Sequence, residues 1–457
     1  MSTYPMTAIV LCGGSSQRLG YPKEMLRVDG APLVIRTAER LRRIFSAVHI
    51  NSNNPAFLRF CSPFPVYPDA VRDMGPLAGL HAGLRHAGTD RCFFLPCDMP
   101  FVPDDHVRRL VERALASSAK AVTACLPGRR EPLCGVYSRE LLPRLEVLLT
   151  GESHRSVAAF LDAVGAESVD FSAADAPSFR DIDAAEDIPL LNRIHADVEP
   201  LPVARLPIRS GRSSSPASDI VAVEYPLSLY VNGLKLVTVL CLPTAMREMA
   251  VGLAVYLGLV RRREEIRGIR MDYDAKRAML QLDVSDEAIR SASQVLITST
   301  CGASIYGGRG ESPGDEAVSE GRRIRLAHIL DCLRVLRPMG PVFSRAGSTH
   351  QAAFSDGERL RLFFEDIGRH NAVDKIIGAS LLEDMDLAHG VIMATGRLSS
   401  EMVIKAARRG VPILASPSGV TTNAVDLAAK HAITFIGFAR GGRANIYTRP
   451  ERVIDDR

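Results

Sequence analysis

The sequence contains no tryptophan, no long apolar run and no regular spacing among its nine cysteines. No stretch approaches the roughly 18 consecutive apolar residues that a transmembrane helix requires. The start of the chain, MSTYPMTAIVLCGG, also lacks the basic segment and cleavage site of a secretory signal peptide. We therefore expect a cytoplasmic protein that makes no contact with a membrane.

The cysteines include no CxxC pair and no Cys/His cluster with the ligand spacing of zinc sites. This pattern argues against a disulfide framework and against a structural zinc site. The net charge of +4 comes without a basic stripe interleaved with aromatic residues, which argues against nucleic acid as a partner. A mildly basic chain suits small anionic ligands.

The length of 457 residues is about three times that of a usual domain, so we expect at least two domains. Residues 197–219 are rich in proline, serine and arginine and show no periodicity, which predicts a flexible linker between domains at 1–196 and 220–457. The glycine-rich stretch 307–320 predicts a long flexible loop inside the second half.

The first half alternates short apolar runs with amphipathic segments, which predicts a Rossmann-like α/β domain with a mostly parallel sheet. Ligands of such sheets bind beyond the carboxyl ends of the strands. The predicted strands are Thr7–Leu11, Val48–Asn51 and Cys92–Leu95, and the predicted helices are Leu33–Phe45, Gly79–Ala87 and Asp104–Ala116.

The second half predicts another α/β domain with its own sheet. A strand over Val221–Val231 is followed by Asn232-Gly233, a hairpin signal. Further predicted strands are Val391–Ala394, Ile413–Ser416 and Ile433–Phe438, and the predicted helices are Thr244–Leu257 and Ser400–Ala407.

A polar loop follows the first predicted strand in the string LCGGSSQRLGYPK, residues 11–23. Gly13 and Gly14 allow backbone N–H groups to approach a phosphate closely, although a lone Gly-Gly is most often an ordinary turn. Arg18 can bind phosphate oxygens with two hydrogen bonds, and Lys23 supplies a point charge. Asp98 follows an apolar strand, where a carboxylate either holds Mg²⁺ or serves as a turn acid.

Four strings, LCGGSSQRLGYPK, VYPDAVRDMGPLAG, LPCDMP and FRDIDAAEDI, resemble the molybdenum cofactor guanylyltransferase (MobA) family in that family's order over about residues 5–195. The resemblance implies Mg²⁺-dependent transfer of GMP from GTP to molybdopterin, with release of pyrophosphate. Lys23 and Arg18 would assist catalysis and Asp98 would hold Mg²⁺. The nucleotide site would comprise Leu11, Cys12, Gly13, Gly14, Lys23, Asn51, Asp69 and Asp98.

Two departures from this family bear on specificity. Cys12 stands where the family usually has alanine, a tolerable change for a small residue. Tyr21-Pro22 precedes Lys23, and related cytidylyltransferases for the same pterin also carry a Pro-Lys pair. A cytidylyltransferase therefore remains an alternative, although residues 75–79 favour the guanylyl enzyme.

In the second half, the string FEDIGRHNAVDK at 364–375 predicts a turn entering a helix, with Arg369, His370 and Lys375 near an anion. A lone histidine is more often a hydrogen-bonded core residue. Cys301, which we expect just after a strand, could carry a persulfide if it is exposed, or could be a buried inert cysteine.

Together with STCGAS, AGSTHQAAF and GFARGGRANIYTRPER, this string resembles the formate dehydrogenase accessory sulfurtransferase (FdhD) family across about residues 221–455. The resemblance implies a cytidine-deaminase-like α/β domain, usually dimeric. Cys301 would take sulfur from a cysteine desulfurase as a persulfide and pass it to bis-guanylyl molybdenum cofactor for apo formate dehydrogenase. The cofactor would bind Phe438, Ala439, Arg440, Gly441, Gly442 and Arg443, and from chemistry alone we add Arg369, His370 and Lys375.

Many members of this second family carry another cysteine three positions after the first, where this chain has Ser304. A two-cysteine relay within the loop is therefore impossible, but a single persulfide needs only one thiolate. The alternative is that the second half is a non-catalytic, cofactor-binding chaperone. Our leading hypothesis is a homodimeric bifunctional protein that makes the guanylylated cofactor and then sulfurates its bis form.

Overall fold

The computed structural model describes residues 3–13, 18–19, 21–53, 63–71, 74–150, 156–209, 216–300 and 317–455. By their internal contacts the residues divide into two compact units, Met1–Val198 and Glu199–Arg457. Within the described ranges, no helix is both long enough and apolar enough to cross a bilayer.

The N-terminal unit is built on one seven-stranded sheet. The strands of this unit are β1 Tyr4–Cys12, β2 Arg27–Val28, β3 Ala31–Pro32, β4 Phe45–Ser52, β5 Val66–Tyr67, β6 Arg91–Pro96, β7 Ala121–Leu126, β8 Arg129–Ser138 and β9 Glu167–Asp170. Strands β2 and β3 form a separate two-stranded sheet. Its α-helices are α1 Leu33–Leu41, α2 Pro76–His86, α3 Asp104–Leu115, α4 Leu142–Thr150, α5 Val157–Ala163 and α6 Ile188–Leu191. Short 3₁₀ helices cover Lys23–Met25, Arg139–Leu141, Ala173–Phe179 and Ala185–Asp187.

The order of the large sheet is β5-β4-β1-β6-β8-β7-β9, and β8 alone runs antiparallel to its neighbours. The predicted mostly parallel α/β sheet is therefore confirmed. Strands β1 and β6 lie at its centre because their apolar runs are almost wholly buried. Strands β1, β4, β5 and β6 are mutually parallel, so their carboxyl ends share one edge of the sheet.

The C-terminal unit contains two larger sheets and several short ones. Its strands are β10 Val203–Arg209, β11 Pro216–Ala222, β12 Tyr225–Val231, β13 Leu234–Cys241, β14 Ile266–Asp272, β15 Arg277–Leu282, β16 Ile324–Arg325, β17 His350–Ser355, β18 Leu360–Asp366, β19 Val391–Ala394, β20 Ile413–Ala415, β21 Thr434–Arg440, β22 Arg443–Thr448 and β23 Val453–Ile454. Its α-helices are α7 Met246–Tyr256, α8 Asp286–Thr300, α9 Leu326–Met339, α10 Phe343–Ala346, α11 Arg369–Leu382, α12 Ser400–Arg408 and α13 Thr422–Lys430. Two 3₁₀ helices cover Arg263–Glu265 and Pro450–Arg452.

The larger sheet of this unit has the order β18-β17-β19-β20-β21-β22, and the smaller has the order β13-β12-β15-β14. The predicted hairpin turn is confirmed, since Asn232 and Gly233 have φ angles of 49° and 85° between β12 and β13. One apolar core joins residues of both sheets with helices α7 and α11.

Helices α7 and α11 pack together so closely that each needs a glycine at the crossing. A Cβ on Gly252 would lie 1.9 Å from the carbonyl oxygen of Asp374, and one on Gly378 would lie 1.7 Å from that of Glu248. Backbone atoms at such distances cannot move aside as a flexible side chain could. Both positions therefore exclude any side chain in this packing.

The prediction of a flexible linker at 197–219 is wrong for most of its length. Residues Val203–Arg209 and Pro216–Ala222 form the antiparallel strands β10 and β11, in register from Val203 opposite Ala222. The apolar residues among the prolines favour extended pairing, and Pro207 is tolerated because the ribbon has only two strands and thus only edge strands.

Two further boundaries differ from prediction. The segment before Cys301 is helix α8, not a strand, since acidic residues Asp286 and Glu287 occupy its first turn and Ile289 and Ala292 are buried three residues apart. Helix α1 ends at Leu41, and the following strand β4 already begins at Phe45. The predicted loop at 307–320 lies mostly outside the described residues.

We expect Gly378→Ala to destabilise the C-terminal unit by about 2–3 kcal/mol, because the added methyl group overpacks the helix crossing by more than alanine gains in helix propensity. Denaturant unfolding of the full chain, followed by circular dichroism, measures the change. The control is Gly268→Ala, whose Cβ would meet only Gln281 at 4.0 Å. Equal stability of both variants would contradict the tight crossing.

Candidate functional site

Lys23 stands at the centre of an ionic cluster in the N-terminal unit. Its Nζ lies 2.5 Å from Asp98 Oδ2 and 2.5 Å from Asp183 Oδ1, and its side chain is only 11% exposed. Burial alone would lower the pKa of Lys23, but the two carboxylates outweigh this effect and hold the pKa above its ordinary value. Lys23 is therefore a fixed positive charge beside the carboxyl end of β6.

Arg18 and one further aspartate, Asp181, complete this cluster. Arg18 Nη2 donates to Asp183 Oδ2 at 2.6 Å, while most of the arginine side chain stays exposed. The hydrogen bond from Lys23 holds the pKa of Asp183 below its ordinary value. Burial, helped by the charges of Asp98 and Asp183, raises the pKa of Asp181 to about 6. The cluster thus combines two cations with carboxylates whose pKa values are shifted in opposite directions.

Asp181 and Asp183 are residues that we did not identify individually from the sequence. They flank Ile182, which is fully buried and whose N–H donates to the carbonyl of Asp98 at 2.8 Å. This backbone bond brings the segment against the end of β6. The available signal was the alternation acid-apolar-acid, which points both carboxylates away from the core.

The carboxylates fit Mg²⁺ in chemical type, because this hard ion prefers oxygen ligands. The described parts of the chain contain no group of three or more His, Cys, Asp or Glu side chains placed to hold a metal by themselves. Mg²⁺ commonly binds one or two carboxylates together with phosphate oxygens of a substrate. Asp98, with Asp183 beside it, suits that mode.

The other predicted nucleotide residues lie along the same edge of the sheet. Leu11, Cys12 and Gly13 are at the carboxyl end of β1, and Asn51 is at that of β4. Asn51 Nδ2 donates to Asp69 Oδ1 at 2.9 Å. The structure therefore brings Asn51 and Asp69 together, whereas Gly14 lies outside the described residues.

Gly79 in helix α2 faces this pair. A Cβ there would lie 2.9 Å from Asn51 Oδ1 and 3.2 Å from Leu11 Cδ2. The glycine thus lets the first turns of α2 approach the ends of β1 and β4.

In the C-terminal unit a second set of predicted residues gathers at one sheet edge. Strands β18, β19, β20 and β21 all run in the same direction, because β17 is antiparallel to both β18 and β19 and the last three are parallel. Their carboxyl ends lead into the start of α11, the residues before α12, the residues after β20 and the tip of the β21–β22 hairpin. This is the edge at which parallel sheets bind ligands.

His370 belongs to this edge and is uncharged. Its Nε2 lies 3.1 Å from Ser399 Oγ, and its Nδ1 lies 3.4 Å from Glu401 Oε2. Burial, together with the positive charges of Lys405 and Arg369, lowers the pKa of His370 to about 3. A neutral imidazole at this position can position neighbours and form hydrogen bonds but carries no charge for an anion.

Arg369 supplies charge where His370 does not. Its Nε is buried and has no hydrogen-bond partner among the residues that the structure describes. The side chain packs against Gly396, where a Cβ would lie 2.5 Å from its Cδ. A buried donor without a partner is costly, and an anionic ligand at this edge would satisfy it.

The string FARGGR forms the tip of the hairpin between β21 and β22. Gly441 and Gly442 make the turn with φ angles of 62° and 75°, and Arg440 lies opposite Arg443 in the ladder. Like charges opposite each other destabilise a hairpin, and a bound anion would relieve the repulsion. Both arginines are exposed, so such an anion can reach them.

The remaining hairpin residues present apolar surface and backbone. Phe438 is 38% exposed at φ 51°, and its ring touches the position where Gly419 would carry a Cβ. Ala439 is buried, and its N–H donates to the carbonyl of Ser416 at 3.0 Å. Phe438 therefore offers a face for a planar ligand group, whereas Ala439 anchors the hairpin.

Lys375 does not share this edge, and its predicted role in holding an anion is wrong. Its side chain is fully buried, with Nζ 2.7 Å from Asp366 Oδ2 and donating to the carbonyl of Glu365 at 2.9 Å. Lys375 follows His370 by five residues, about 140° around helix α11, and so points into the core. The ammonium is a structural cation.

Cys301, the predicted persulfide carrier, and Ser304 lie outside the described residues. Helix α8 ends immediately before Cys301 at Thr300. The description resumes at residue 317, and the N–H of Val318 donates to the carbonyl of His431 at 3.0 Å.

Comparison with known proteins matches each half of the chain to a family. A model of the FdhD/NarQ family matches residues 222–454, and a model of the MobA-like NTP transferase domain matches residues 8–178. The sulfur carrier protein FdhD of Staphylococcus haemolyticus (strain JCSC1435) is 35% identical over 244 residues, which cover 52% of this chain and 90% of the relative. The protein of the same name from Staphylococcus aureus (strain MRSA252) is 34% identical over 246 residues, 52% of this chain and 91% of the relative.

Among solved structures, molybdopterin-guanine dinucleotide biosynthesis protein A from Archaeoglobus fulgidus is 22% identical. The alignment covers 41% of this chain and 98% of that chain, with a TM-score of 0.36.

We expect Lys375→Met to destabilise the protein by about 3–5 kcal/mol, because Asp366 would remain buried without its cation. Chemical unfolding of the full chain measures this loss. Lys235→Met, which removes an exposed lysine from β13, is the control and should change stability by no more than about 0.5 kcal/mol. An unchanged midpoint for Lys375→Met would mean that the ion pair is not structural.

Proposed function

Because the chain belongs to the FdhD/NarQ family and also carries a MobA-like NTP transferase domain, we propose that it is a bifunctional maturation protein of the molybdenum cofactor. The N-terminal unit transfers GMP from GTP to molybdopterin and releases pyrophosphate. The C-terminal unit carries persulfide sulfur from a cysteine desulfurase to bis-guanylyl molybdenum cofactor for apo formate dehydrogenase. A second copy of the chain completes a homodimer.

The observation that carries the first activity is the buried ammonium of Lys23 between two carboxylates at the binding edge of the sheet. A phosphate oxygen of molybdopterin attacks the α-phosphorus of GTP in line, and the bond to pyrophosphate breaks. Lys23 and Arg18 neutralise the charge that develops on the phosphoryl oxygens. The attacking phosphate is already an anion, so no side chain has to remove a proton from it.

The carboxylates have a separate part in this reaction. Asp98 would hold Mg²⁺, with Asp183 and Asp181 beside it, and the ion would polarise the phosphoryl oxygens. Lys23 already contacts both Asp98 and Asp183. Phosphate oxygens of the arriving nucleotide would replace these carboxylates as partners of the ammonium. Asp183 also orients Arg18, whose side chain is otherwise exposed.

The choice of base distinguishes the guanylyltransferase from the alternative cytidylyltransferase. Gly79 lets helix α2 approach Leu11 and Asn51, two residues of the proposed nucleotide site. Helix backbone, and no side chain of residue 79, therefore lies next to these two residues. Tyr21-Pro22-Lys23 is the feature that favours the alternative. Pyrophosphate release with molybdopterin and either GTP or CTP decides between them, and a preference for CTP would reverse our assignment.

We expect Lys23→Met to lower nucleotidyl transfer by about 10²–10³-fold, the loss typical of removing one preorganised charge from a transition state. The rate of pyrophosphate release from GTP in the presence of molybdopterin and Mg²⁺ is the measurement. Lys120→Met is the matched control, because Lys120 is exposed and forms an exposed ion pair with Glu140. Full activity of Lys23→Met would remove the central element of this mechanism.

For the C-terminal unit, the support is a cationic edge suited to an anionic ligand with planar ends. Arg440 and Arg443 face each other at the hairpin tip, and Arg369 presents a buried donor. Phe438 offers an exposed ring for stacking on a base. The bis-guanylyl cofactor has two guanylyl ends, each with a pyrophosphate. These anionic groups would bind the arginines, whose positive charges otherwise repel each other.

The sulfur step needs one thiolate and is proposed for Cys301. Cys301 would carry the sulfur as a persulfide and present its terminal sulfur atom to the bound cofactor. The alternative for this unit, a chaperone that binds the cofactor without transferring sulfur, is favoured by Ser304 in place of a second cysteine. The two readings differ in whether Cys301 ever carries sulfur.

Incubation with a cysteine desulfurase and cysteine should add one sulfur, about 32 Da, to Cys301, as an S-persulfide. Mass spectrometry of intact and digested protein locates the addition. Cys301→Ser should lose it, whereas Cys332→Ser, which changes a buried cysteine of helix α9, should keep it. No gain of sulfur beside a working desulfurase would favour the chaperone.

A further inference from the structure

Two of the cysteines that the structure describes end neighbouring strands. Cys12 is the last residue of β1, and Cys97 follows the last residue of β6. The parallel register pairs Leu11 with Pro96, and the N–H of Cys97 donates to the carbonyl of Leu11 at 2.9 Å. The ladder therefore continues by one step and places the two cysteines side by side.

The geometry of this pair fits a disulfide. Adjacent strands lie about 4.8 Å apart, and disulfides join residues whose Cα atoms are about 4.4–6.8 Å apart. Side chains of residues paired in neighbouring parallel strands lie on the same face of the sheet, so the two cysteine side chains are adjacent. Both side chains are buried, and both are free thiols in this structure.

The position of the pair connects it to the nucleotide site. Gly13 follows Cys12 directly, and Asp98 follows Cys97 directly. A bond between the two sulfurs brings the sulfur atoms to about 2 Å from each other and so shifts the residues next to the cysteines, Gly13 and Asp98. We propose that Cys12 and Cys97 form a redox-sensitive modification site whose disulfide suppresses nucleotidyl transfer in the N-terminal unit.

The oxidant is hydrogen peroxide, and because burial raises the pKa of the Cys12 thiol, the reaction calls for prolonged treatment. One cysteine reacts with hydrogen peroxide to give a sulfenic acid and water. The neighbouring thiol then attacks the sulfenic sulfur, the S–S bond forms and a second molecule of water leaves. Two thiols are oxidised and one peroxide is reduced, and a dithiol such as dithiothreitol reverses the change by exchange.

The disulfide acts on catalysis by displacement, which makes this part of the inference dependent on the proposed function. Lys23 contacts Asp98 at 2.5 Å, so a shift of Asp98 changes the place of both charges. A misplacement of about 1 Å in an active site costs on the order of a hundredfold in rate.

The test uses the full chain, reduced, freed of reductant and treated with hydrogen peroxide. After free thiols are blocked, non-reducing digestion should yield a peptide containing Cys12 joined to the peptide containing Cys97. The joined pair is lighter by two hydrogen atoms than the sum of its parts. Fragment ions must separate Cys97 from Cys92, because one tryptic peptide contains both. Nucleotidyl transfer should fall about a hundredfold and return with dithiothreitol.

Two variants complete the design. Cys97→Ala should resist the reversible loss of activity, while Cys125→Ala, which removes the half-exposed thiol of β7, should remain as sensitive as the wild type. The inference fails if no Cys12–Cys97 link forms while Cys125 is oxidised, or if the link forms without loss of transfer. Absence of transfer in the reduced protein would contradict the proposed function instead, and the mass spectra would still decide whether the disulfide forms.

Discussion

Burying a lysine ammonium is the constraint around which both units are arranged. Removing a charged group from water costs several kcal/mol, and only partners of opposite charge at close range offset that cost. Lys23 in the first unit and Lys375 in the second each meet carboxylate oxygens within 2.7 Å. Each ammonium thereby fixes the end of one strand, β6 through Asp98 and β18 through Asp366, and the strand ends carry the candidate sites.

The two lysines differ in the surroundings of their carboxylate partners. This difference distinguishes a structural ion pair at Lys375 from a candidate functional site at Lys23. Asp366 also accepts hydrogen bonds from the N–H groups of Leu242 and Gly368, so its buried carboxylate joins strand β18 to the start of α11. No solvent reaches that pair, which makes it a fixed joint. Lys23 instead shares Asp183 with the exposed Arg18, so its cluster opens to solvent and can exchange carboxylates for phosphates.

The large features of this molecule follow from local patterns in the sequence. Apolar strands followed by amphipathic helices predict the parallel sheet of the first unit. Asn232-Gly233 predicts a hairpin in the second unit, because the turn requires positive φ angles. The strings of the second resemblance lie within residues 222–454, and those of the first lie within residues 8–178 except FRDIDAAEDI, which follows directly at 179–188. Features that depend on distant partners were missed. The direction of Lys375 is set by Asp366 and Glu365, which precede its helix, and the approach of Asp183 to Lys23 crosses 160 residues of chain. The ribbon of β10 and β11 was missed because proline and arginine resemble linker composition, whereas pairing depends on the intervening aliphatic residues.

The two halves of the chain have complementary electrostatic requirements under the proposed function. The first cluster attracts polyphosphate and leaves a guanylyl group on its product. The second presents Arg440 and Arg443 opposite each other, an arrangement that is unfavourable until an anion lies between them. His370 stays neutral because burial and the neighbouring Lys405 and Arg369 oppose its protonation. Charge at this edge therefore comes from arginines, which remain ionised at every physiological pH, and recognition of the guanylyl ends does not vary with the protonation of the histidine. One chain would then contain both the unit that attaches the guanylyl groups and the unit whose arginines bind them.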